Sequence, residues 1–528
     1  MRLLRAYVRG FKNLAEVNVD FDQSKLTTVV IGQNGTGKSN LVESLVSIFR
    51  FVDLNRGEPV FVYEIEYQIG AYLVQLNNRS GRTTFTVNGA PVSRAEFERR
   101  KAEWFPDLVF GYYSGGSRRL ERLFDAHQRR YYDSIKLNEN AEECRDALGQ
   151  RRLFYCRPIH GVFALLAAFA YPEEKVLELL RKPLGILGFH SALALFREPW
   201  FSQSARNKKD ARPENLWGAK GPAGTCARSI RDVAFHPLAL EDKTLDDYRD
   251  KGGSESQYAA FIRDEGGLLD FASRYKDDQD LFAALEAMDI SDLIREFYVW
   301  VLRLNDQSGD VSFADLSDGE RQLLMVLGLI RVSRNKRALF LLDEPDTHLN
   351  PIWQHSYLDL IRQWTGVTGD EANCQIVMTS HNPLTIAALK KEEVRVMFAD
   401  DHGRVSISPP YADPQGMGFT ATLTEIFGLP TTLDPVTQKA LDDRNTLARI
   451  DKRTEKQERD LATINDQLSR LGFMFEDREP LYQDFLRALH EVRYTDRSTL
   501  SPEQSAAQHA ALVDLVRQIQ QKKKGQTQ

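Results

Sequence analysis

The chain has 528 residues, 42% of them hydrophobic and 27% charged, and its 69 basic and 75 acidic side chains give a net charge of −6. This composition is typical of a globular protein of several domains and argues against a surface coated in positive charge to wrap nucleic acid. The longest uncharged apolar stretch, 161–171, is too short to span a membrane, and the N-terminus lacks the apolar core of a signal peptide, so we expect a cytoplasmic chain without membrane contact.

The first 115 residues read as β structure around one helix. The patterns at 5–8 and 15–21 predict a strand pair, and the apolar run 26–31 predicts a strand buried on both faces. A helix is predicted at 39–51. Further strands are predicted at 60–69, 72–76, 83–87 and 108–113.

A glycine-rich motif lies between the third predicted strand and the helix. Residues 32–39 read Gly-Gln-Asn-Gly-Thr-Gly-Lys-Ser and match G-x-x-x-x-G-K-[ST] at every position. In this motif backbone N–H groups surround phosphate oxygens, Lys38 brings charge to the β- and γ-phosphates, and the Ser39 hydroxyl coordinates Mg²⁺. We therefore predict ATP and Mg²⁺ as ligands. The predicted nucleotide-binding residues of the loop are Gly32, Asn34, Gly35, Thr36, Gly37, Lys38, Ser39 and Asn40.

The remaining chain changes periodicity twice. From 116 to 304 the apolar spacing is mainly helical, for example over 162–169, 176–187 and 281–302. After 305, apolar runs at 338–342, 375–379 and 394–398 alternate with helical stretches, which is typical of a parallel sheet. From about 435 the chain is charged and helical. One helical face is predicted for Leu447, Ile450, Leu461, Ile464, Leu468 and Leu471.

Two of the later predicted strands end in polar residues suited to hydrolysis. The run 339–344, Leu-Phe-Leu-Leu-Asp-Glu, places Asp343 to hold Mg²⁺, because a hard cation prefers oxygen ligands. Glu344 is the candidate that orients and deprotonates the attacking water. A further strand, 377–381, ends in His381.

The segment 316–322, Leu-Ser-Asp-Gly-Glu-Arg-Gln, resembles the L-S-x-G-[EQ]-x-Q signature of ABC-type ATPases. The order of the P-loop, signature, Asp-Glu strand and histidine strengthens this resemblance, which covers about 1–115 and 305–410. It implies that His381 is a switch histidine and that the signature binds, in trans, the γ-phosphate held by the opposite subunit. The signature residues are Ser317, Asp318, Gly319 and Glu320. Ser317 and Glu320 also fit an ordinary helix capping box, and both roles are compatible.

The resemblance implies an α/β fold: an ABC-type P-loop ATPase head, with a mixed sheet and an antiparallel β lobe, carrying a large helical insertion and a helical C-terminal region. The expected domains are an N-terminal lobe (1–115), a mainly helical insertion (116–304), a C-terminal lobe (305–410) and a partner-docking helical region (411–528). The insertion is too short for the coiled-coil arms of SMC proteins. Residues 8–14, Val-Arg-Gly-Phe-Lys-Asn-Leu, are similar to the start of RecF-like and OLD-like ATPases, which implies that Arg9 and Lys12 contact nucleotide.

Two departures from the ABC pattern predict slow, regulatory turnover. The D-loop segment that begins at Asp346 ends in Asn350, where the family has aspartate, and an asparagine cannot supply the charge that couples two composite sites. In addition, no glutamine follows the strand 108–113 where the Q-loop is expected.

The C-terminal part carries a further resemblance. Residues 413–417 (Asp-Pro-Gln-Gly-Met), 426–430 (Ile-Phe-Gly-Leu-Pro) and 433–435 (Leu-Asp-Pro) are similar to PtuA, the ATPase of Septu-type anti-phage systems, which is also found beside retrons. This implies an ATPase that dimerises head to head, or forms a higher oligomer, and controls a separate HNH-type nuclease, PtuB. Nucleic acid, or a retron reverse transcriptase with its noncoding DNA, is a further candidate partner.

Two alternatives stay open. A RecF-like DNA-repair ATPase would clamp DNA in an ATP-dependent way, and a nucleotide-binding scaffold would not hydrolyse ATP at all. Only Asn350 favours the scaffold. We expect no nuclease activity in this chain, because Asp400 and Asp401 are not followed by a complete set of metal ligands.

Overall fold

The computed structural model describes residues 1–136, 138, 140, 143–144, 147, 151–199, 212–242, 254–333, 336–365, 374–400, 402–450 and 452–473. The strands are β1 (Arg2–Phe11), β2 (Leu14–Asp20), β3 (Thr27–Gly32), β4 (Val62–Ile69), β5 (Tyr72–Asn77), β6 (Thr84–Val87), β7 (Ala90–Val92), β8 (Leu108–Tyr113), β9 (Leu153–Tyr155), β10 (Ile186–Arg197), β11 (Leu238–Asp242), β12 (Glu255–Ile262), β13 (Ile294–Arg303), β14 (Asp306–Ser312), β15 (Ala338–Asp343), β16 (Gln375–Thr379), β17 (Val394–Ala399) and β18 (Val405–Ser408). The helices are α1 (Lys38–Leu54), α2 (Arg94–Arg99), α3 (Lys101–Trp104), α4 (Asp125–Ile135), α5 (Pro158–Ala170), α6 (Glu174–Leu184), α7 (Gly221–Val233), α8 (Glu265–Ala272), α9 (Asp278–Ile290), α10 (Asp318–Val332), α11 (Pro351–Thr365), α12 (Pro383–Ile386), α13 (Gly418–Ala421), α14 (Pro435–Ala448) and α15 (Glu455–Arg470). The chain divides into two compact units, 1–430 and 431–528.

The central sheet of the first unit has the order β18-β17-β3-β16-β15-β8-β9. Neighbouring strands are parallel, apart from the antiparallel pair β17 and β18. Strands β3, β8, β15 and β16 therefore end at the same edge of the sheet, where the loops that follow them can form a ligand site. The strands predicted at 26–31, 108–113, 338–342, 375–379 and 394–398 are confirmed.

Helix α1 lies between the central sheet and an antiparallel sheet of order β2-β1-β4-β5-β6-β7. Val30, Leu339 and Leu341 pack into the apolar core that contains α1, whereas Val29 and Phe340 pack into the core on the opposite face. Because successive strand residues point to opposite faces, a strand covered on both sides needs a continuous apolar run. The mixed sheet and the antiparallel lobe give the α/β class that the sequence predicts.

The insertion over 116–304 contains a sheet in addition to the predicted helices. It contributes α4 to α9, but also most of an antiparallel sheet of order β11-β12-β10-β13-β14, whose last strand extends to Ser312. The helix predicted at 281–302 ends at Ile290, and β13 begins at Ile294. The residues of β13 read Ile-Arg-Glu-Phe-Tyr-Val-Trp-Val-Leu-Arg, and this aromatic and β-branched run favours a strand over a helix.

The longest apolar stretch of the sequence lies in α5, which is buried from His160 to Ala170. Gly328 of α10 lies so close to α5 that a side chain there would overlap with Ala164. Gly161 of α5 is similarly close to the ring of Phe313, just before α10. This packing fixes the position of α10, whose first turn carries the predicted signature. Among the described helices, none is long and apolar enough to cross a membrane.

The second unit is described over 431–450 and 452–473, where α14 and α15 pack against each other. The continuous helical face predicted from Leu447 to Leu471 is therefore divided between two helices. The guanidinium of Arg453 binds the carbonyls of Leu447 and Ile450, both at 3.2 Å, so the carbonyls at the end of α14 are satisfied without further helix. Thr454 then begins α15 with a capping box. The predicted helical segment 474–528 lies outside the described residues.

Candidate nucleotide-binding site

The loop between β3 and α1 has the backbone geometry of a phosphate-binding loop. Gly37 precedes α1 with a φ of 98°, a value that favours glycine. A side chain at Gly32 would overlap with the carbonyl oxygen of Met397 on the neighbouring strand β17. The hydroxyl of Thr36 donates to the carbonyl of Gln33 at 2.8 Å and closes the loop. The glycines at both ends of the motif are thus required by the fold, and the N–H groups at the start of α1 are left for an anion.

Lys38 is the first residue of α1, and its side chain turns back over the loop. Its Nζ donates to the carbonyl oxygens of Gly32 at 2.8 Å and Gln33 at 3.2 Å, and the residue is only 6% exposed. Burial lowers the pKa of this amine, whereas the nearby carboxylates of Glu344 and Asp343 oppose that shift. Neutral carbonyl partners position the ammonium without neutralising it, which suits it to a phosphate.

Asp343, the last residue of β15, lies where three elements meet. Its Oδ1 accepts hydrogen bonds from Ser39 Oγ at 2.9 Å and from Thr379 Oγ1 at 2.6 Å, and its Oδ2 accepts one from Arg119 Nη2 at 2.9 Å. Burial raises the pKa of this carboxyl, and the two hydroxyl donors and the guanidinium act in the opposite direction. The structure therefore brings together Ser39 and Asp343, the two predicted Mg²⁺ ligands.

The oxygen donors at this point fit Mg²⁺. A serine hydroxyl and a carboxylate are hard ligands, and Mg²⁺ in nucleotide sites is usually held by one or two protein oxygens, substrate phosphates and water. Within the described ranges no group of three or more His, Cys, Asp or Glu side chains could hold a metal by itself. The residues present thus suit a metal that arrives with its nucleotide better than one held in a closed protein cage.

Glu344 and His381, the predicted catalytic pair, lie side by side. Glu344 Oε1 is 3.5 Å from His381 Nδ1, and both side chains are partly exposed. The interaction with His381 lowers the pKa of Glu344, and the interaction with Glu344 raises the pKa of His381. Glu344 has a φ of 54°, an uncommon value that turns its side chain away from the line of β15. An ionised carboxylate beside a histidine can accept a proton from water.

The turn between β1 and β2 touches the P-loop through a residue that the sequence did not single out. Asn13 donates from Nδ2 to the carbonyl of Gly35 at 2.7 Å, and its Oδ1 accepts from Asn40 Nδ2 at 2.7 Å. Lys12, predicted to contact nucleotide, forms an ion pair with Glu43 of α1. Arg9 lies exposed on β1, before this turn. Asn34, also exposed, lies at the tip of the P-loop.

The predicted signature forms the N-terminus of α10 with the capping box expected from the sequence. Ser317 Oγ and its backbone N–H both donate to Glu320 Oε2 at 2.8 Å, and the Glu320 N–H donates back to Ser317 Oγ at 3.3 Å. Gly319 lies against the carbonyl of His348 in the D-loop segment, where a side chain would clash. The in-trans contact to a second subunit remains a prediction, since the structure contains one chain.

The two predicted D-loop residues have clear local roles. Asp346 is buried, and its Oδ2 accepts hydrogen bonds from Ser380 at 2.6 Å and from Thr385, so it connects the loop to the segment after β16. Asn350 begins α11, where its Oδ1 accepts from the backbone N–H of Trp353 at 2.9 Å. Asparagine is a preferred N-cap, especially before a proline at the first helical position. This local signal was available in the sequence and was missed.

Arg119, Thr379 and Gln322 are further site residues that the sequence analysis missed. Gln322 of α10 accepts from the backbone N–H of His348 at 3.1 Å and so joins the signature helix to the D-loop segment. Thr379 ends β16 beside Asp343 and belongs to the predicted histidine strand. Arg119 lies in the segment after β8, where the expected Q-loop glutamine is absent. That absence was the only signal in the sequence that pointed to this segment.

Comparisons with known proteins give partial matches to this chain. A family model described as "AAA domain, putative AbiEii toxin, Type IV TA system" matches residues 192–387. The Septu protein PtuA of Bacillus mycoides is 25% identical over 164 residues, which cover 30% of this chain and 22% of that protein. The DNA replication and repair protein RecF of Cyanothece sp. is 31% identical over 147 residues, 26% of this chain and 37% of RecF.

Among solved structures, a Smc head domain from Pyrococcus furiosus, bound to the C-terminal domain of ScpA, covers 77% of this chain at 14% identity, with a TM-score of 0.32. The matched regions span well under half the length of either curated relative.

The parallel sheet, the P-loop geometry and the Asp343 centre fit the ABC-type ATPase head that the sequence resemblance implies. The sequence matches show that the chain is similar to ATPases of the RecF and PtuA type over part of its length. The Septu protein PtuA is among its relatives.

Proposed function

We propose that this chain is the ATP-binding and ATP-hydrolysing subunit of an anti-phage defence complex like Septu, in which it dimerises head to head around ATP and controls a separate HNH-type nuclease. The observation that carries the nucleotide part is the hydrogen bond between Ser39 and Asp343, which joins the P-loop to the end of β15 at 2.9 Å. The similarity to PtuA supports the defence part.

The binding of ATP and Mg²⁺ can be explained by the residues of the P-loop and of the end of β15. The backbone N–H groups around Gly37 would bind the phosphate oxygens, and the Lys38 ammonium, held by carbonyl oxygens, would supply the positive charge. Ser39 and Asp343 would hold Mg²⁺, which supplies charge neutralisation on the β- and γ-phosphates when it is bound. Thr379 keeps the Asp343 carboxylate oriented toward the loop.

Hydrolysis would use the neighbouring pair. Glu344 is held as a carboxylate by His381 and can orient a water and accept its proton. The interaction with Glu344 raises the pKa of His381, which favours a positive charge that would act on the phosphate. Ser317 and Gly319 of a second copy would close the site, and α10 would transmit the change to the insertion through the packing of Gly328 on Ala164. Asn350 in place of an acidic D-loop residue favours slow turnover.

Copurification tests the proposal. Tagged Glu344→Gln protein, expressed with its native gene neighbours and purified with ATP and Mg²⁺, is expected to retain a small nuclease through gel filtration. Lys38→Ala is the matched control, because it should not bind nucleotide and should lose any ATP-dependent partner. A Glu344→Gln complex without nuclease would contradict the defence role.

A second candidate is an ATP-dependent DNA clamp, which the 31% identity to RecF favours. It predicts that the purified Glu344→Gln protein binds duplex DNA only with ATP, and that binding falls steeply with salt because phosphate contacts release counterions. DNA in the gel-filtration peak, without a nuclease, would favour this function over the first.

A further inference from the structure

The segment that follows β8 places a cation on the predicted Mg²⁺ carboxylate. Arg119 Nη2 donates to Asp343 Oδ2 at 2.9 Å, and Arg119 Nη1 is 3.4 Å from Glu43 Oε1. Both acids are nearly buried, with 2% and 7% of their side chains exposed, whereas the Arg119 side chain is 35% exposed. An ion pair with buried acids and a half-exposed cation can exchange that cation with solvent more easily than a fully buried pair.

Arg119 is fixed by the residues around it. Its guanidinium lies over the ring of Tyr113 at 4.7 Å from the ring centre. Leu120, the next residue, is buried, and the ring of Phe124 fills the space above Gly111 on β8. Leu120 and Phe124 thus anchor the end of this segment, whereas residues 116–118 before Arg119 are exposed and the Arg119 side chain joins this part to the two carboxylates.

The same segment borders a large cavity beside the signature. The backbone N–H of Ser114 donates to the carbonyl of Asp343 at 3.2 Å, so the segment starts at the end of β15. A cavity of about 850 Å³ is lined by residues 112–118 on one side and by Asp318, Gln322 and His348 on the other. Arg119 thus connects the carboxylate of the nucleotide site to a wall of this cavity.

We propose that Arg119 is the resident counter-ion of Asp343, that Mg²⁺ entering with nucleotide competes with it for this carboxylate, and that its displacement releases residues 114–119 at the cavity beside the signature helix. This inference rests on the proposed nucleotide site. Asp343 Oδ2 accepts the guanidinium, while Oδ1 accepts Ser39 and Thr379, so the carboxylate already uses both oxygens. Mg²⁺ that is bound to phosphates therefore interacts most favourably with Asp343 after the guanidinium has left that carboxylate.

A Mg²⁺ titration of nucleotide binding tests the competition on the full-length protein. Fluorescence of a mant-labelled ATP is followed while Mg²⁺ is raised, and the same nucleotide is also titrated in EDTA. In Arg119→Gln the Mg²⁺ concentration at half-maximal binding is expected to fall about tenfold, which corresponds to about 1.4 kcal/mol. Binding in EDTA is expected to stay unchanged. Arg119→Lys keeps the charge and should remain close to the wild type.

Arg118→Gln is the matched control, because the adjacent Arg118 side chain is 63% exposed and pairs with Glu121. An unchanged Mg²⁺ midpoint in Arg119→Gln would overturn the competition. A lower affinity in EDTA with an unmoved midpoint would instead make Arg119 a phosphate ligand and would also overturn it. Failure of the wild type to bind nucleotide with Mg²⁺ would reject the proposed function itself, a result distinct from both.

Hydrogen–deuterium exchange tests the release of the segment. In the wild type, Mg²⁺ with nucleotide is expected to speed exchange of the amides in 114–119, and Arg119→Gln should show the faster exchange without nucleotide. Slow exchange in both proteins under all conditions would refute the link between Arg119 and the cavity.

Discussion

Thr379 donates a hydrogen bond to the Asp343 carboxylate at 2.6 Å and accepts one from the backbone N–H of Glu344 at 3.0 Å. One hydroxyl therefore orients both acidic residues at the end of β15. Thr379→Val keeps the shape but removes the donor, and we expect Mg²⁺-dependent nucleotide affinity to fall by about 10–100-fold, as is usual for lost outer partners of a metal ligand. Calorimetric titration with ATP and Mg²⁺ measures this.

Thr385→Val provides the control for that substitution. Thr385 donates to the buried carboxylate of Asp346 and so loses the same kind of hydrogen bond at a different acid. Its nucleotide affinity should stay close to the wild type. Equal losses in the two variants would show that the effect of Thr379→Val is general destabilisation.

The pair of Glu344 and His381 predicts a pH dependence with a definite sign. Because Glu344 raises the pKa of His381 above its ordinary value of 6.5, the pair stabilises the fold fully between pH 4.5, the ordinary pKa of Glu344, and pH 6.5, and loses this contribution as the pH rises through the higher folded pKa of His381. NMR titration of His381 should give a midpoint above 6.5 in the wild type. Glu344→Gln should lower that midpoint, and an unmoved midpoint would disprove the pairing.

Replacement of Ser317 tests closure of the site by a second copy. Ser317→Arg places a bulky cation at the start of α10 and should abolish ATP-dependent dimerisation, measured by light scattering of the Glu344→Gln background. Both Ser317→Arg and Ser317→Ala lose the capping side chain, which costs about 1 kcal/mol of stability. Ser317→Ala removes the same hydroxyl without adding bulk, and a monomeric Ser317→Ala protein would mean that loss of the hydroxyl, not steric blockage, prevents assembly.

Substitutions of Asn350 can separate its effect on the stability of the protein from its effect on the coupling of the two composite ATP sites. Asp and Asn cap helices about equally, so Asn350→Asp should leave the melting temperature unchanged, whereas Asn350→Ala should cost about 1 kcal/mol. If the missing charge is what slows turnover, Asn350→Asp should also raise the steady-state rate of phosphate release. A stable Asn350→Asp protein with wild-type turnover would exclude the charge as the cause.

The nucleotide loop and the central sheet could be predicted because their signals are local. The motif 32–39 fixes a loop at its own residues, and runs such as 338–342 and 375–379 are apolar on both faces. The composition of β13 favours a strand, but the sheet of the insertion was not predicted, because its pairing of β10 with β13 joins residues that are distant in the chain. The burial of each strand in this sheet depends on the strands that pair with it.

Side-chain contacts across the chain were harder to predict than motifs. Arg119 reaches Asp343 only because β8 and β15 are neighbours, and no spacing in the sequence reveals that strand order. Asn13 similarly reaches Gly35 because β1 folds over the start of α1. By contrast, the cap at Asn350 is local, and its Asn-Pro pair could have been interpreted correctly.

The position of β3 between β16 and β17 has a consequence for biosynthesis. Both neighbours lie after Gln375, so at 5–20 residues per second β3 leaves the ribosome on the order of tens of seconds before either of them. During that interval β3 has no native partner on either side, and an apolar strand with two open edges is prone to pair with other chains. Any translation product that stops before Val394 leaves one of those edges open permanently, so nascent and prematurely terminated chains should be the forms of this protein that depend most on chaperones.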